Sequence, residues 1–177
     1  EGNAQQIQQN IEKYGYTVAA SLDQNKSKIG SLTEEALVRL KGQADCILIE
    51  ADGAKRLPLK VPGEWEPVIP DFTDLVVGVI GMDAVGQMIR ESCHRPERVA
   101  AFLNKEQTDP VTEADVIRIA VSDKALKKAV GRRPYKIFLN KTDLMGKYES
   151  AERIGKELQE QGVHAAWGSL QGREYYR

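Results

Sequence analysis

The sequence has little of what would place a protein outside a reducing, aqueous compartment. Its two cysteines, Cys46 inside an apolar run and Cys93 before a histidine, make no disulfide framework and fit a reducing interior. The longest apolar stretches, such as Leu75 to Ile80, fall far short of the ~20 residues that a bilayer-spanning helix needs. No basic-then-apolar signal segment opens the chain, so the expected location is cytoplasmic, with no membrane partner. An excess of one charge is missing too. Lys and Arg number 25 against 26 Asp and Glu, a net charge of -1, which gives no global field toward nucleic acid or an anionic surface. Any anionic ligand must therefore be held locally. Also absent is a phosphate-cradling G-x-x-x-x-G-K-[ST]: Lys26-Ser27 follows Asn25 without the glycines that let backbone N–H groups wrap a phosphate.

What is present suits one globular domain spanning 1–177, with 41% hydrophobic and 29% charged residues. The chain opens at Glu1 without a methionine, directly in a helical pattern, as a fragment or processed form would. Ile7, Ile11 and Tyr14 predict a helix stopped by Gly15. Tyr16 to Ser21 is a short β-prone run, and Asp23 to Ser31 a polar loop. Thr33 caps a predicted helix with apolar Ala36, Leu37 and Leu40. Cys46 to Ile49 is continuously apolar, the pattern of a strand buried on both faces of a parallel sheet. The proline-bearing stretch from Leu57 to Asp71 cannot be regular helix and is expected to run extended over the sheet edge.

Leu75 to Ile80, Tyr135 to Leu139 and Val163 to Trp167 are further predicted strands. A helical insertion around 96–130 divides into a piece at Glu97 to Leu103, one capped by Thr112 and one capped by Ser122. Ser150 to Gln161 is the last predicted helix. Strands alternating with helices predict a doubly wound, mostly parallel α/β sheet, in which ligands sit at the carboxyl ends of the strands.

The sharpest motif is Asn140-Lys141-Thr142-Asp143, directly after a predicted strand. In guanine-nucleotide proteins N-K-x-D stands at this position, where the carboxylate accepts two parallel hydrogen bonds from guanine N1 and N2. The Asn amide and Lys stem steady the loop and the base face, and Gly168-Ser169-Leu170 lies where such proteins place a second loop against the base. The alternative for the motif is a solvated turn in which Asn140 caps a helix. A second signal is Glu50-Ala51-Asp52-Gly53. Asp52 there could hold Mg²⁺ through water beside a terminal phosphate, with Gly53 admitting close backbone approach. The alternative is a helix-capping Asp followed by a glycine needed for positive φ. Lys55, Arg56 and Lys60 face phosphates or form a solvated face. Cys93-His94 alone cannot complete a metal site. Glu64 and Glu66 flank Trp65 and could work as acid or base, although carboxylates on an extended loop are usually just solvated.

Taken together, Ile49 to Lys55, Pro58-Leu59-Lys60, Glu66 to Pro70, Val79 to Gly86, His94-Arg95-Pro96-Glu97 and Leu139 to Asp143 resemble the YqeC family, from about Tyr16 to Ser169. The family's members are described as accessory proteins for selenium-dependent molybdenum hydroxylases. The resemblance implies a sheet of the P-loop NTPase kind, incomplete at its N-terminus. The family's first strand, glycine-rich phosphate loop, helix and second strand are expected upstream of Glu1. It implies Mg²⁺ with GTP or ATP, Glu50 and Asp52 near the metal and γ-phosphate in catalytic roles, and Asn140, Lys141, Asp143, Ser169 and Gly53 on the nucleotide. Lys55, Lys60, Glu66, His94 and Arg95 match family motifs and would contact phosphates, a substrate or a partner.

The function so implied is GTP-dependent maturation of a molybdenum hydroxylase, in concert with that enzyme or a selenium-handling protein. Two alternatives stand beside it. One is a partner-binding module without turnover. The other is an enzyme acting on a small selenium-containing or phosphorylated substrate.

Overall fold

A computed structural model of the chain describes residues 4–22, 29–30, 32–171 and 174–176. The chain divides into two compact units, Glu1–Glu50 and Ala51–Arg177.

In the first unit, α1 (Ala4–Tyr14) forms on the predicted periodicity and buries Ile7. Gly15 ends it at φ 78°, its N–H donating to the Ile11 carbonyl at 2.8 Å. Two short strands, β1 (Ser21–Leu22) and β2 (Ile29–Gly30), pair antiparallel. Most of the polar loop expected from Asp23 to Ser31, including Lys26-Ser27, lies outside the described residues. Thr33 caps α2 (Glu34–Leu40) as expected, its hydroxyl accepting from the Ala36 N–H at 3.3 Å.

The strand expected over Cys46 to Ile49 does not form. The segment is irregular, Cys46 is exposed and Leu48 is 93% exposed. An apolar run becomes a buried strand only where neighbouring strands take up its backbone groups, and no described strand flanks this one. Glu50 is therefore not a strand-terminal acid, and it belongs to the first unit while Asp52 belongs to the second.

The second unit is a mixed α/β assembly with parallel strands in two small sheets. β3 (Leu59–Lys60) pairs in parallel with β5 (Cys93–His94). The larger sheet runs β4-β6-β7-β8, from β4 (Val76–Gly81), β6 (Tyr135–Asn140), β7 (His164–Ser169) and β8 (Glu174–Tyr176). The first three are parallel and β8 closes one side antiparallel. The strands predicted over Leu75 to Ile80, Tyr135 to Leu139 and Val163 to Trp167 thus form with ends within two residues of those expected. Their burial differs from that expected: Val77 and Val79 of β4 are about half exposed, at 48% and 54%. The apolar run masks an alternation over 77–80 in which Gly78 and Ile80 are buried while Val77 and Val79 are exposed.

Helices α3 (Ile89–Ser92), α4 (Pro96–Leu103), α5 (Glu113–Val121) and α6 (Lys147–Glu160) supply the rest. Pro96 opens α4 at a position where its missing N–H costs nothing. Thr112 and Asp115 form a reciprocal capping box on α5. The helix expected after Ser122 is a run of turns instead, with the Ser122 hydroxyl accepting from the Lys124 N–H at 3.1 Å, a local bond that competes with helix. One core joins Ile80, Ile137, Leu139 and Trp167 of the sheet to Ile119, Ile154 and Leu158 of the helices. Gly155 lets α6 cross β7 closely, since a Cβ there would sit 2.6 Å from Trp167 Cε3.

This topology fixes a rim. Gly81, Asn140 and Gly168 stand side by side at the carboxyl ends of three parallel strands. On the other edge of β4, the Gly81 N–H donates to the Pro58 carbonyl at 2.9 Å, which brings the proline-bearing stretch to the sheet edge as expected.

Candidate functional site

Asn140 is the last residue of β6, and its side chain does two jobs at once. Its Oδ1 accepts from the Lys141 N–H at 2.9 Å and from the Leu170 N–H at 3.2 Å, tying the loop after β6 to the loop after β7. A second stitch runs from the Thr142 N–H to the Gly168 carbonyl at 3.3 Å, and Thr142 is buried. Lys141 is left-handed, at φ 68°. Its ammonium donates to Asp83 Oδ2 at 2.5 Å, across to the segment that follows β4. Lys147 repeats the pattern by donating to the Val85 carbonyl at 2.6 Å. The loop is thereby held from both sides.

Asp143 is the exception: it is exposed, and no described group bonds to its carboxylate. Ser169 is buried at the end of β7. Chemically this is a rigid rim presenting one free acceptor pair. Asp83 and Lys147, which brace it, were not singled out from sequence as site residues; the glycine-bounded strand end around Asp83 was the available signal.

The second cluster is built differently. Lys60 on β3 is almost wholly buried and spends its ammonium on Asp52, on the Gly53 carbonyl at 2.9 Å and on Glu66 Oε2 at 3.1 Å. Arg95 clamps the same Glu66 with both arms of its guanidinium, at 2.5 and 3.0 Å, and the Gly63 N–H adds a bond at 2.9 Å. The Arg95 guanidinium, aided by Gly63 and Lys60 against the effect of burial, holds the Glu66 carboxyl far below the usual carboxylate range. For Asp52 burial is the larger effect and pushes its carboxyl up, with Lys60 opposing. His94 stands opposite Lys60 in the β3–β5 register. Burial, then the charges of Lys60, Arg95 and Lys55, hold the imidazole below its ordinary range, and its buried Nδ1 has no partner.

Five sequence-predicted residues, Asp52, Lys60, Glu66, His94 and Arg95, thus gather in one place. Lys55 approaches His94 through its charge but keeps an exposed side chain, at φ 51°. The Mg²⁺ expected at Asp52 does not fit this arrangement. The cation that the carboxylate faces is Lys60, whose ammonium would repel a dication at the same oxygens. Among the described residues no group of three or more His, Cys, Asp or Glu is placed to hold a metal ion.

A family model described as YqeC protein matches residues 1–97, which include Asp52, Lys60, Glu66, His94 and Arg95. The chain belongs to the YqeC family. It is 28% identical over 152 residues to the uncharacterized protein YqeC of Escherichia coli (strain K12), an alignment covering 83% of this chain and 59% of that relative. The chain therefore spans less than two thirds of the length of the curated relative it matches. No solved structure matches it. Among its described residues no helix is long and apolar enough to cross a membrane.

Proposed function

We propose that this chain carries the base-recognising end of a guanine-nucleotide site, and that it serves the maturation of a selenium-dependent molybdenum hydroxylase as an accessory protein. The observation that supports the first part best is the division of labour between Asn140 and Asp143. Asn140 fixes two adjacent loops to each other through its side-chain oxygen, while Asp143, three residues on, points no bond at the protein. A carboxylate is acceptor-only, so its complement is a base edge with two adjacent donors. Guanine offers N1–H and N2–H in that arrangement, whereas adenine sets its one donor, the N6 amino group, beside an acceptor at N1 that a carboxylate oxygen would repel. GTP or GDP is therefore preferred to ATP. Lys141, braced by Asp83, and Ser169 flank the place where the base would lie. Mg²⁺ enters this proposal only as a companion of the nucleotide's phosphates, not as an ion held by Asp52. Binding, rather than turnover, is what these residues support. The hydroxylase partner follows from the family resemblance.

Titrating the full-length protein with a fluorescent GDP analogue, followed by competition with unlabelled nucleotides, tests the proposal. Saturable binding displaced by GDP and GTP but not by ATP is expected. Absence of saturable binding, or displacement by ATP as readily as by GDP, overturns it. The partner is tested by hydroxylase activity in a strain lacking this gene: activity falls on deletion, returns with the wild-type gene and does not return with Asp143→Ala. Unchanged hydroxylase activity after deletion removes the maturation role.

A further inference from the structure

Bordering the Lys60 cluster, with which it shares Glu66 and Arg95, lies an open cavity of about 360 Å³ lined by Gly63, Glu64, Trp65, Glu66, Arg95 and Arg98. Its walls are held in place. The Gly63–Glu66 turn is closed by the Glu66 N–H donating to the Gly63 carbonyl at 3.3 Å and by Glu66 Oε2 accepting from the Gly63 N–H at 2.9 Å. From outside the turn, the Lys128 ammonium donates to the carbonyls of Gly63 and Glu64 at 2.6 and 2.8 Å. Gly63 leaves room for the Arg95 guanidinium, because a Cβ there would come within 2.6 Å of Nη1.

This braced turn carries Trp65 out into solvent, 86% exposed. A large indole left bare on a braced backbone turn offers a flat apolar face for a ligand to stack on. Arg98 lines the same cavity from the first turn of α4, and no described group pairs with its guanidinium. Arg95 commits two bonds to Glu66 and keeps further N–H donors. Of the cavity's two carboxylates, Glu66 is neutralised by Arg95 and Lys60, which leaves Glu64 as the one unpaired acid against the free fork of Arg98.

We infer that this cavity binds a small planar organic anion, with its carboxylate or phosphate on the Arg98 fork beside Arg95 and its flat body stacked on Trp65. A guanidinium fork matches both anionic groups bidentately. The volume, at the low end of small-molecule pockets, admits a single small molecule rather than a folded partner. The site is separate from the Asn140–Asp143 rim, and the inference does not depend on nucleotide binding there.

The test uses phenyl phosphate, benzoate and inorganic phosphate as probes on the full chain, read from the two tryptophan indole N–H resonances in ¹⁵N-correlation spectra. Trp65→Phe, at an exposed position, identifies which resonance is which. Phenyl phosphate, benzoate or both should shift the Trp65 signal saturably and leave that of buried Trp167 in place. The better binder of the two identifies the anionic group. Arg98→Ala should weaken binding about tenfold or more, the loss expected for a charge-assisted pair. Glu64→Gln should tighten it by about twofold to threefold, as removal of one exposed like charge does. No saturable shift with either aromatic probe, equal affinity for inorganic phosphate, or affinity unchanged in Arg98→Ala would overturn the inference, as would weakening by Glu64→Gln.

Discussion

The two charged clusters of the second unit use the same residue types to opposite ends. Around Lys60 the charges answer one another: a buried ammonium with three acceptors, a glutamate gripped by a guanidinium, and an aspartate turned to the lysine. On the β6–β7 rim Asn140 and Lys141 are bonded in the same way, although the buried Oδ1 of Asp83 has no partner, and one exposed carboxylate, Asp143, is left over. Mutually paired charges hold a fold together, while an exposed acid on a braced loop keeps its acceptors free for a ligand. The contrast also reassigns Asp52, whose sequence context suggests a metal, to the structural side.

The largest expected effect that would break this contrast comes from Lys60→Met. Removing the ammonium leaves Asp52 and Glu66 as partly buried acids without their shared cation, and such losses cost about 3–5 kcal/mol. Urea denaturation should show a loss of that order; a change below about 1 kcal/mol would mean that the cluster is not structural. Asn140→Ala removes an acceptor shared by two backbone amides and should cost about 1–3 kcal/mol, with guanine-nucleotide binding lost as well. Stability lost with binding retained would detach the rim from the proposed function.

A third prediction concerns pH. The Glu66 carboxyl is depressed in the folded protein from an ordinary value of 4.5. Its contribution is therefore fully present above pH 4.5 and is lost as pH falls from there toward the depressed folded value. The stability difference between wild type and Glu66→Gln should be constant above about pH 5 and shrink steadily in more acid solution; a pH-independent difference would contradict the Arg95 clamp. Asp52, raised by burial, works in the opposite direction, which is why the difference between the two proteins is the quantity to follow. The smallest effect belongs to Asp143→Ala, which should move stability by no more than about 0.5 kcal/mol. A larger loss in denaturant would show that this acid is structural after all.

How far these differences were legible in the sequence depends on how local their causes are. The strands over 76–81, 135–140 and 164–169 follow from apolar runs ending in polar or glycine residues, and the Thr33 and Thr112 caps follow from residue type at one position. Asn140 and Asp143 belong to the same class, because the motif specifies neighbours in the chain. Cys46 to Ile49 misled, because an apolar run reports a wish for burial and says nothing of which strands are there to pair with it. The Glu66–Arg95 clamp joins residues 29 apart, and Lys128 closes the Trp65 turn from 65 residues away. No spacing rule connects such partners, so Glu66 could be marked as a family-motif residue but its pairing with Arg95 could not be foreseen. The Ser122 helix failed for a local reason, a hydroxyl that bonds its own turn in place of starting a helix.

Exchanging the hydrogen-bond pattern at Asp143 tests the central claim most directly. An Asn side chain offers one donor and one acceptor, which match xanthine, whose edge pairs N1–H with a carbonyl at C2, and mismatch guanine. Calorimetric titration of wild type and Asp143→Asn with GDP and XDP should show wild type choosing GDP and the variant choosing XDP. Equal GDP affinity in the two proteins would mean that Asp143 does not read a base.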